Sequence, residues 1–255
     1  MRRSFFVVAL ACLMAAGGAV SAFGLGKASN TIVDLQIKTD SKQAGTKARP
    51  RINSVNLTLL GATKNRMGQP GTSKRLELTL PKGWAWNARK WPASKRCDIK
   101  KVIAAKSDSV CPKGSKIGTG KSTATGGADE TKPSGPANGV NEFIDVTAHV
   151  IKNGNLGFLL KGRPVAVSPP MIEGKLIGRK LSVVIPKTVG EPVKGVTTGS
   201  TKLNTNFTGI IRVKGKRVGI TSNSGGCINK RWIFRGSNVM RDGTKSDTDV
   251  VSCRK

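Results

Sequence analysis

Hydrophobic residues alternate with polar ones along much of this chain, and this period-2 pattern is typical of β-strands with one buried face. The longest alternating run extends from Leu203 to Val213. Shorter runs precede it, with apolar positions at Val33, Leu35 and Ile37, at Val55, Leu57 and Leu59, at Leu76, Leu78 and Leu80, at Val146, Ala148 and Val150, and at Leu181, Val183 and Ile185. The pattern predicts an all-β protein.

Turn residues separate these runs and indicate how the strands pair. Asn153-Gly154 lies between two apolar runs, and Asn-Gly in such a position is a strong hairpin signal. Gly178-Arg179 and Gly215-Lys216 indicate two further hairpins. Because hairpins join antiparallel strands, we expect an antiparallel β-sandwich.

One short segment has helical spacing instead. Within Asp98–Lys106, the apolar residues Ile99, Val102 and Ile103 fall on one helical face. The segment lies between Cys97 and Cys111, so we predict a short helix stapled by a disulfide.

The first 22 residues have the order of a secretory signal peptide. Arg2 and Arg3 precede an uncharged apolar run that ends in Val20-Ser21-Ala22. Three alternatives stay open: a retained anchor, a twin-arginine signal, and lipidation at Cys12. We expect cleavage, secretion or association with the cell envelope, and no transmembrane span in the mature chain.

The mature chain is expected to form one large β domain. Removing residues 1–22 from 255 leaves 233 residues, 23–255, a length that suits one large all-β domain. Residues 126–139 are rich in Gly, Pro and polar side chains, so they form either a long loop or a linker that divides two domains.

Four cysteines remain after cleavage, and an even number in an oxidising compartment indicates disulfides. Of three possible pairings, sequence proximity favours Cys97–Cys111 and Cys227–Cys253. A predicted hairpin with a turn at Asp242-Gly243 brings the second pair together. No Cys-x-x-Cys is present and His149 is the only histidine, so we expect no metal site and no cofactor.

The net charge narrows the expected partners. The whole chain carries a formal charge of +30, and loss of the two leader arginines leaves +28. Such a charge attracts polyanions, and outside a bacterial cell the nearest are anionic polymers of the envelope. Because the Lys and Arg residues are scattered, the charge predicts adsorption, and we expect no sequence-specific nucleic-acid binding.

The segment from Gly114 to Ser122 has the composition of a phosphate-binding loop but not its spacing. Such a loop needs Gly, four residues, then Gly-Lys-Ser/Thr, whereas the position five before Gly120 is Ser115. We therefore expect a glycine-rich turn that enters a strand, and no nucleotide binding.

The same segment carries a resemblance. Cys97, the short helix and the run from Cys111-Pro112 to Gly120 resemble a motif in a group of secreted bacterial proteins. Pro81-Lys82-Gly83-Trp84 and the C-terminal elements Trp232, Asp242-Gly243 and Cys253 match further features of that group. The resemblance implies a secreted β-rich fold with two disulfides, and it brings no catalytic residue or ligand.

Candidate site residues are few. Trp84, Trp86 and Trp91 lie among basic residues, where exposed aromatic rings could form a ligand surface, although tryptophan is usually buried. His149 lacks an identifiable partner, so we expect an ordinary strand histidine and no catalytic residue.

These features together predict a non-enzymatic, secreted or cell-surface basic protein that associates electrostatically with anionic envelope polymers. The alternative is a structural or adhesive module that binds a protein or glycan partner.

Overall fold

The computed structural model describes residues 31–63, 72–126, 140–163, 170–191, 198–240 and 243–254. The predicted signal peptide with Cys12 lies outside these residues, as do residues 127–139 and the Arg241-Asp242 part of the predicted turn. The strands are β1 Thr31–Thr39, β2 Arg51–Asn53, β3 Val55–Thr63, β4 Ser73–Thr79, β5 Trp84–Trp86, β6 Lys116–Gly126, β7 Val140–Val150, β8 Leu156–Arg163, β9 Met171–Ile177, β10 Lys180–Val184, β11 Thr198–Phe207, β12 Ile210–Val213, β13 Lys216–Gly219, β14 Thr221–Asn223, β15 Arg231–Met240 and β16 Gly243–Ser252.

Most of the strands belong to one large antiparallel sheet. Its 11 strands have the order β1-β3-β11-β6-β7-β8-β9-β10-β4-β15-β16. The period-2 runs supply its buried face, with Leu35, Val55, Leu78, Val146 and Leu181 all in one core cluster. The predicted all-β class with antiparallel pairing is confirmed. The strands on either side of residues 127–139, β6 and β7, pair directly with each other.

The two outermost strands of this sheet, β1 and β16, lie side by side. In the antiparallel order, the first and last of an odd number of strands run in the same direction. Two hydrogen bonds confirm that β1 and β16 are parallel neighbours, because residue numbers rise together along both strands. Leu35 N donates to Asp247 Oδ2 (2.8 Å), and Ile37 N donates to Asp249 Oδ2. Beyond the strand ends, Ala44 N donates to Arg254 O at 2.8 Å. Side-chain carboxylates therefore bridge a parallel seam.

A three-stranded sheet of β2, β14 and β5 packs on the same core. Trp84 of β5 makes an edge contact with Trp232 (centroids 4.9 Å apart) and another with Phe234 (5.3 Å). Trp86, two residues on, meets Phe207 at 5.3 Å. Residues two apart share one face of a strand, so both indoles point into the protein.

The predicted hairpins form. Asn153-Gly154 lies between β7 and β8, and Gly178-Arg179 joins β9 to β10. The third turn is Lys214-Gly215, one residue earlier than predicted. Both of its residues have positive φ (48° and 76°), which is the conformation of a two-residue hairpin turn.

The long alternating run from Leu203 to Val213 is not one strand, which corrects the prediction. It breaks after Phe207, where Thr208 N and Gly209 N both donate to Ile117 O (2.9 Å each). A Cβ at Gly209 would lie 2.6 Å from Ile117 Cα, so only glycine fits this close approach. The chain then enters the separate β12–β13 hairpin.

The helix and both predicted disulfides are confirmed. Helix α1 covers Ile99–Ala105, and the Asp98 side chain caps it by accepting from Lys100 N. The disulfides join Cys97 to Cys111 and Cys227 to Cys253. A second helix, α2, covers only Lys187–Gly190. In the described segments, neither helix has the length of a membrane-spanning one.

Candidate functional site

Positive charge is in large excess over the carboxylates that could neutralise it. The chain has 44 Lys and Arg residues but only 14 Asp and Glu. Most cations therefore have no carboxylate of their own.

The β12–β13 hairpin concentrates four of them. Arg212 and Arg217 lie directly opposite each other in its ladder, and Lys214 and Lys216 flank Gly215 at its turn. All four side chains are exposed. In the described part of the chain, none of the four forms an ion pair with a carboxylate. We call Arg212, Lys214, Lys216 and Arg217 the cationic hairpin.

The geometry of the cationic hairpin is unfavourable without a counter-charge. Like charges directly opposite in an antiparallel pair destabilise it. Lys214 also has φ 48°, a left-handed conformation that a residue with a Cβ adopts reluctantly. The opposite face compensates, because Ile211 and Val218 pack against the core. The result is an anchored ribbon that presents paired guanidinium groups to solvent.

Some cations elsewhere are neutralised by a carboxylate. Glu77 lies 3.1 Å from Lys180 Nζ, and Asp98 lies 2.7 Å from Lys152 Nζ. Burial alone would raise the pKa of Glu77, but hydrogen bonds from Lys180 and Ser182 with the attraction of nearby cations hold it below its ordinary value. Surface charge is therefore uneven, and the hairpin is one of its uncompensated regions.

The three predicted tryptophans are mostly inside the protein. Trp84 and Trp91 are 2% and 1% exposed, and Trp86 is half-buried. Trp91 Nε1 donates to Gly114 O (2.9 Å) and Trp86 Nε1 to Arg179 O (3.1 Å). A ligand surface at these residues stays a prediction, and Trp86 is the one that keeps a solvent-facing edge.

The segment that resembles a phosphate-binding loop forms a turn followed by a strand. Gly114 occupies the turn with φ 90°, and β6 begins at Lys116. Ser115, between them, is fully buried. A phosphate-binding loop needs open backbone N–H groups before a helix, and this segment leads into a strand.

A second cluster surrounds His149, and sequence reasoning missed it. His149 is only 2% exposed, its Nδ1 lies 3.0 Å from Ser115 Oγ, and its Nε2 lies 3.4 Å from Asp108 Oδ2. The sequence alone identifies no partner for His149, and the structure places Ser115 and Asp108 beside it. Burial lowers the pKa of His149, the Asp108 carboxylate opposes this shift, and Lys116 adds to it.

The Cys97–Cys111 disulfide borders the same cluster. Three atoms lie within 4.8 Å of one another: Cys97 Sγ, Cys111 Sγ and one ring nitrogen of His149. The sequence contains one weak signal, since Asp108, Cys111 and Ser115 lie close together in the chain. Their approach to His149 depends on strand pairing, because Lys116 is opposite His149 in the β6–β7 ladder.

The contacts from Ser115 to His149 and from His149 to Asp108 join the three residue types of a hydrolytic triad, but a substrate cannot reach the serine. A nucleophilic Ser must reach a substrate carbonyl, and Ser115 is 0% exposed. No protein-family model, curated protein or solved structure matches this chain.

Proposed function

We propose that this protein is a secreted or cell-surface, non-enzymatic β-rich protein that associates electrostatically with anionic polymers of the cell envelope. The observation that carries the proposal is the cationic hairpin, with four exposed cations and no carboxylate partner in the described chain. A polyanion would relieve the repulsion between Arg212 and Arg217 by placing negative charge between them.

Phosphate is the group that suits this arrangement best. Guanidinium groups bind phosphate oxygens through two parallel hydrogen bonds, whereas Lys contributes a point charge. Arg212 and Arg217 on one face, with Lys214 and Lys216 at the tip, can contact successive phosphodiesters of an extended polymer. Each contact is weak, so affinity comes from several at once.

Export supports this partner. The signal-like leader and two disulfides suit an oxidising extracellular compartment, where envelope polymers are the abundant polyanions. Cell fractionation followed by N-terminal sequencing tests export. Recovery of the uncleaved chain in the cytoplasm would contradict it.

The scaffold we infer is a flattened, nearly closed sheet. The carboxylate-bridged seam between β1 and β16 supports closure, and the shared core cluster supports two layers facing each other. The two-layer packing of the predicted sandwich would then arise within one sheet. Such a scaffold holds the cationic hairpin rigidly, which lowers the entropy lost on binding.

The binding test compares two pairs of substitutions with the same change in charge. R212Q/R217Q removes both hairpin arginines, and K100Q/K101Q removes two exposed lysines of α1. Retention on beads carrying a phosphodiester wall polymer is measured from low to high salt. We expect R212Q/R217Q to bind at least tenfold more weakly and to reduce the salt slope by about 1–2, because phosphate contacts release counterions.

Three controls make that outcome informative. K100Q/K101Q should lose less affinity than R212Q/R217Q, and a neutral glycan should retain neither variant. Equal losses in the two variants would contradict a role for the hairpin. Retention of the unmodified protein that does not change with salt would contradict the electrostatic mechanism as a whole. Equal affinity for duplex DNA would mean that the phosphodiester alone is recognised.

One observation favours the alternative of an adhesive module. Ile233 and Val250 lie directly opposite each other in the β15–β16 ladder, and they are 52% and 47% exposed. An apolar pair of this kind on an outer sheet face could contact a protein partner. That mode predicts salt-tolerant binding that is lost in I233T/V250T and kept in R212Q/R217Q.

A further inference from the structure

The cluster around His149 combines four side chains whose donor atoms suit a transition metal. Cys97, Cys111 and His149 have their ligand atoms within 4.8 Å, and Asp108 Oδ2 is 3.4 Å from His149 Nε2. Thiolate sulfur, imidazole nitrogen and carboxylate oxygen are the ligand types of tetrahedral zinc sites, and Asp108 borders the three grouped residues through His149. Oxygen-preferring ions such as Mg²⁺ and Ca²⁺ would gain little from it.

We propose that the Cys97–Cys111 disulfide and a zinc-class metal site are two alternative states of this cluster. In the oxidised state, the two sulfurs are joined to each other. In the reduced state, both thiolates, His149 Nε2 and the Asp108 carboxylate hold one divalent ion. This inference is independent of the proposed envelope function.

The distance between the nitrogen and the oxygen already fits a bound ion. Metal–ligand distances of about 2.1 Å to nitrogen and oxygen place two tetrahedral ligands about 3.4 Å apart. His149 Nε2 and Asp108 Oδ2 have that separation. Nε2 is also buried without a hydrogen bond, so its contact with Asp108 is too poorly directed to satisfy it. A buried ring nitrogen that lies beside a carboxylate without a well-directed hydrogen bond is well placed to bind a cation.

The surroundings of the ring suit metal ligation. Ser115 Oγ lies 3.0 Å from Nδ1 and can accept a hydrogen bond from Nδ1–H, which leaves the Nε2 lone pair for the ion. Lys161 Nζ lies 3.8 Å from Asp108 Oδ1, and Lys116 is close enough to influence His149. These ammonium groups would offset the negative charge of two thiolates and a carboxylate.

Backbone hydrogen bonds hold the ligand-bearing segments around the end of β7. Cys97 N donates to Val150 O, and Val150 N donates to Ser115 O, both at 2.8 Å. Cys111 N donates to Asp108 O at 2.9 Å. These bonds do not depend on the disulfide, so the residues would stay near one another when it is reduced. The sulfurs then need to separate to about 3.8 Å, the edge of a tetrahedron with metal–sulfur distances near 2.3 Å.

Conversion of the Cys97–Cys111 disulfide to the metal-bound state needs a dithiol reductant. A thiolate of the reductant attacks the Sγ of Cys111, which is the less buried of the two cysteines, and the bond to Cys97 Sγ breaks to leave the Cys97 thiolate. The second thiol of the reductant displaces Cys111 and closes its own disulfide. The reductant loses two electrons and the bridge gains them. The two protons of the dithiol pass to solvent when the divalent ion binds both Cys thiolates.

The test uses the full chain and Co²⁺, whose tetrahedral thiolate complexes absorb visible light. The protein is reduced under anaerobic conditions with a phosphine, which supplies no competing thiol, and is titrated with Co²⁺ and then Zn²⁺. We expect one Co²⁺ per chain, displacement by Zn²⁺, and no such spectrum from the oxidised protein. H149A and D108N should each bind Co²⁺ at least tenfold more weakly.

Two controls keep the result decisive. C227A/C253A removes the other bridge and should retain the spectrum, whereas C97A/C111A should lose it. If the reduced chain loses its near-ultraviolet circular dichroism, Zn²⁺ should restore it in the unmodified protein and not in H149A, because metal binding and folding are coupled. A reduced protein with no tetrahedral spectrum, or an H149A protein that binds as tightly, would overturn the proposal.

Discussion

Arg96 illustrates how a basic residue can be structural in a chain whose charge looks functional. Its guanidinium group donates to Trp91 O (2.9 Å), Lys152 O (3.1 Å) and Arg89 O (2.8 Å). One side chain thus joins two carbonyls of the turn at Ala88–Trp91 to a carbonyl of the loop after β7. Arg212 has no such partners in the described chain, and the sequence does not distinguish the two residues.

Because Arg96 makes these hydrogen bonds and Arg212 does not, replacement of each by Lys should affect stability differently. R96K keeps the charge but cannot reproduce a planar group with three separate bonds, so we expect a loss of about 1–2 kcal/mol in the free energy of unfolding. R212K serves as the control and should unfold at the same urea concentration as the unmodified protein. Equal unfolding midpoints for R96K and R212K would refute the structural role of Arg96.

Glu77 gives a prediction about pH. Its pKa in the folded protein lies below its ordinary value because Lys180, Ser182 and Arg75 favour the carboxylate. The unfolded chain therefore binds the proton more readily, and the stabilisation from Glu77 is present above the unfolded pKa and lost as pH falls through the folded one. E77Q should be less stable than the unmodified protein at neutral pH.

The measurement is urea unfolding as pH falls from neutral through the ordinary range of a Glu carboxyl, about 4.3, and below it, because the pKa of folded Glu77 is lower. The difference in free energy of unfolding between E77Q and the unmodified protein should become smaller as pH falls. D34N removes an exposed carboxylate that has no ion pair among the described residues, and it is the control for the loss of one negative charge. A constant difference for E77Q would show that Lys180 and Arg75 do not stabilise the charged form.

Among the elements, β1 and β16 are neighbours that side-chain carboxylates join. Parallel neighbours are normally joined by a ladder, but here the carboxylates of Asp247 and Asp249 accept from Leu35 N and Ile37 N. Side chains on an edge strand are one way to keep its unpaired N–H groups from pairing with another chain. The two aspartates thus hold β16 against β1 and occupy two N–H groups of its edge.

Removing both carboxylates should open the seam. D247A/D249A leaves two backbone N–H groups without acceptors, so we expect a loss of about 2–3 kcal/mol and faster amide exchange at Leu35 and Ile37. T244A/T248A alters exposed side chains of the same strand and is the control. Unchanged exchange at both amides in D247A/D249A would refute the role of the aspartates.

For the molecule as a whole, the Cys227–Cys253 disulfide ties the two ends of the β15–β16 hairpin together. The cysteines are 26 residues apart, and Arg254, next to the second one, pairs with the segment after β1. The bridge therefore restrains the last hairpin where the seam ends. It also limits the conformations of the unfolded chain.

Loss of this bridge should destabilise the whole fold. In the chain-entropy model a closed loop of this length contributes about 3–4 kcal/mol, so C227A/C253A should unfold at a clearly lower urea concentration. The amides of Ala44 and Arg254 should exchange faster in C227A/C253A than in the unmodified protein, in step with the loss of global stability. An unfolding midpoint equal to that of the unmodified protein would contradict this role.

The local sequence pattern by itself determined most of the strands, the hairpins and the disulfide pairing of this protein. Alternation at Leu35, Val55 and Leu181 predicted strands, Asn153-Gly154 predicted a hairpin, and cysteine spacing favoured the observed bridges. These features depend on steric and hydrogen-bonding preferences that act over a few residues. The same local rule treated Leu203–Val213 as one strand, because alternation does not show that Gly209 must approach Ile117.

Only the tertiary structure decided what these elements bring together. Asp249 meets Ile37 across 212 residues, and His149 meets Ser115 across 34. Neither contact leaves a local signal, because each depends on the order of strands in the sheet. That order follows from the packing of the whole core, where many pairings compete and the chain must satisfy all of them at once.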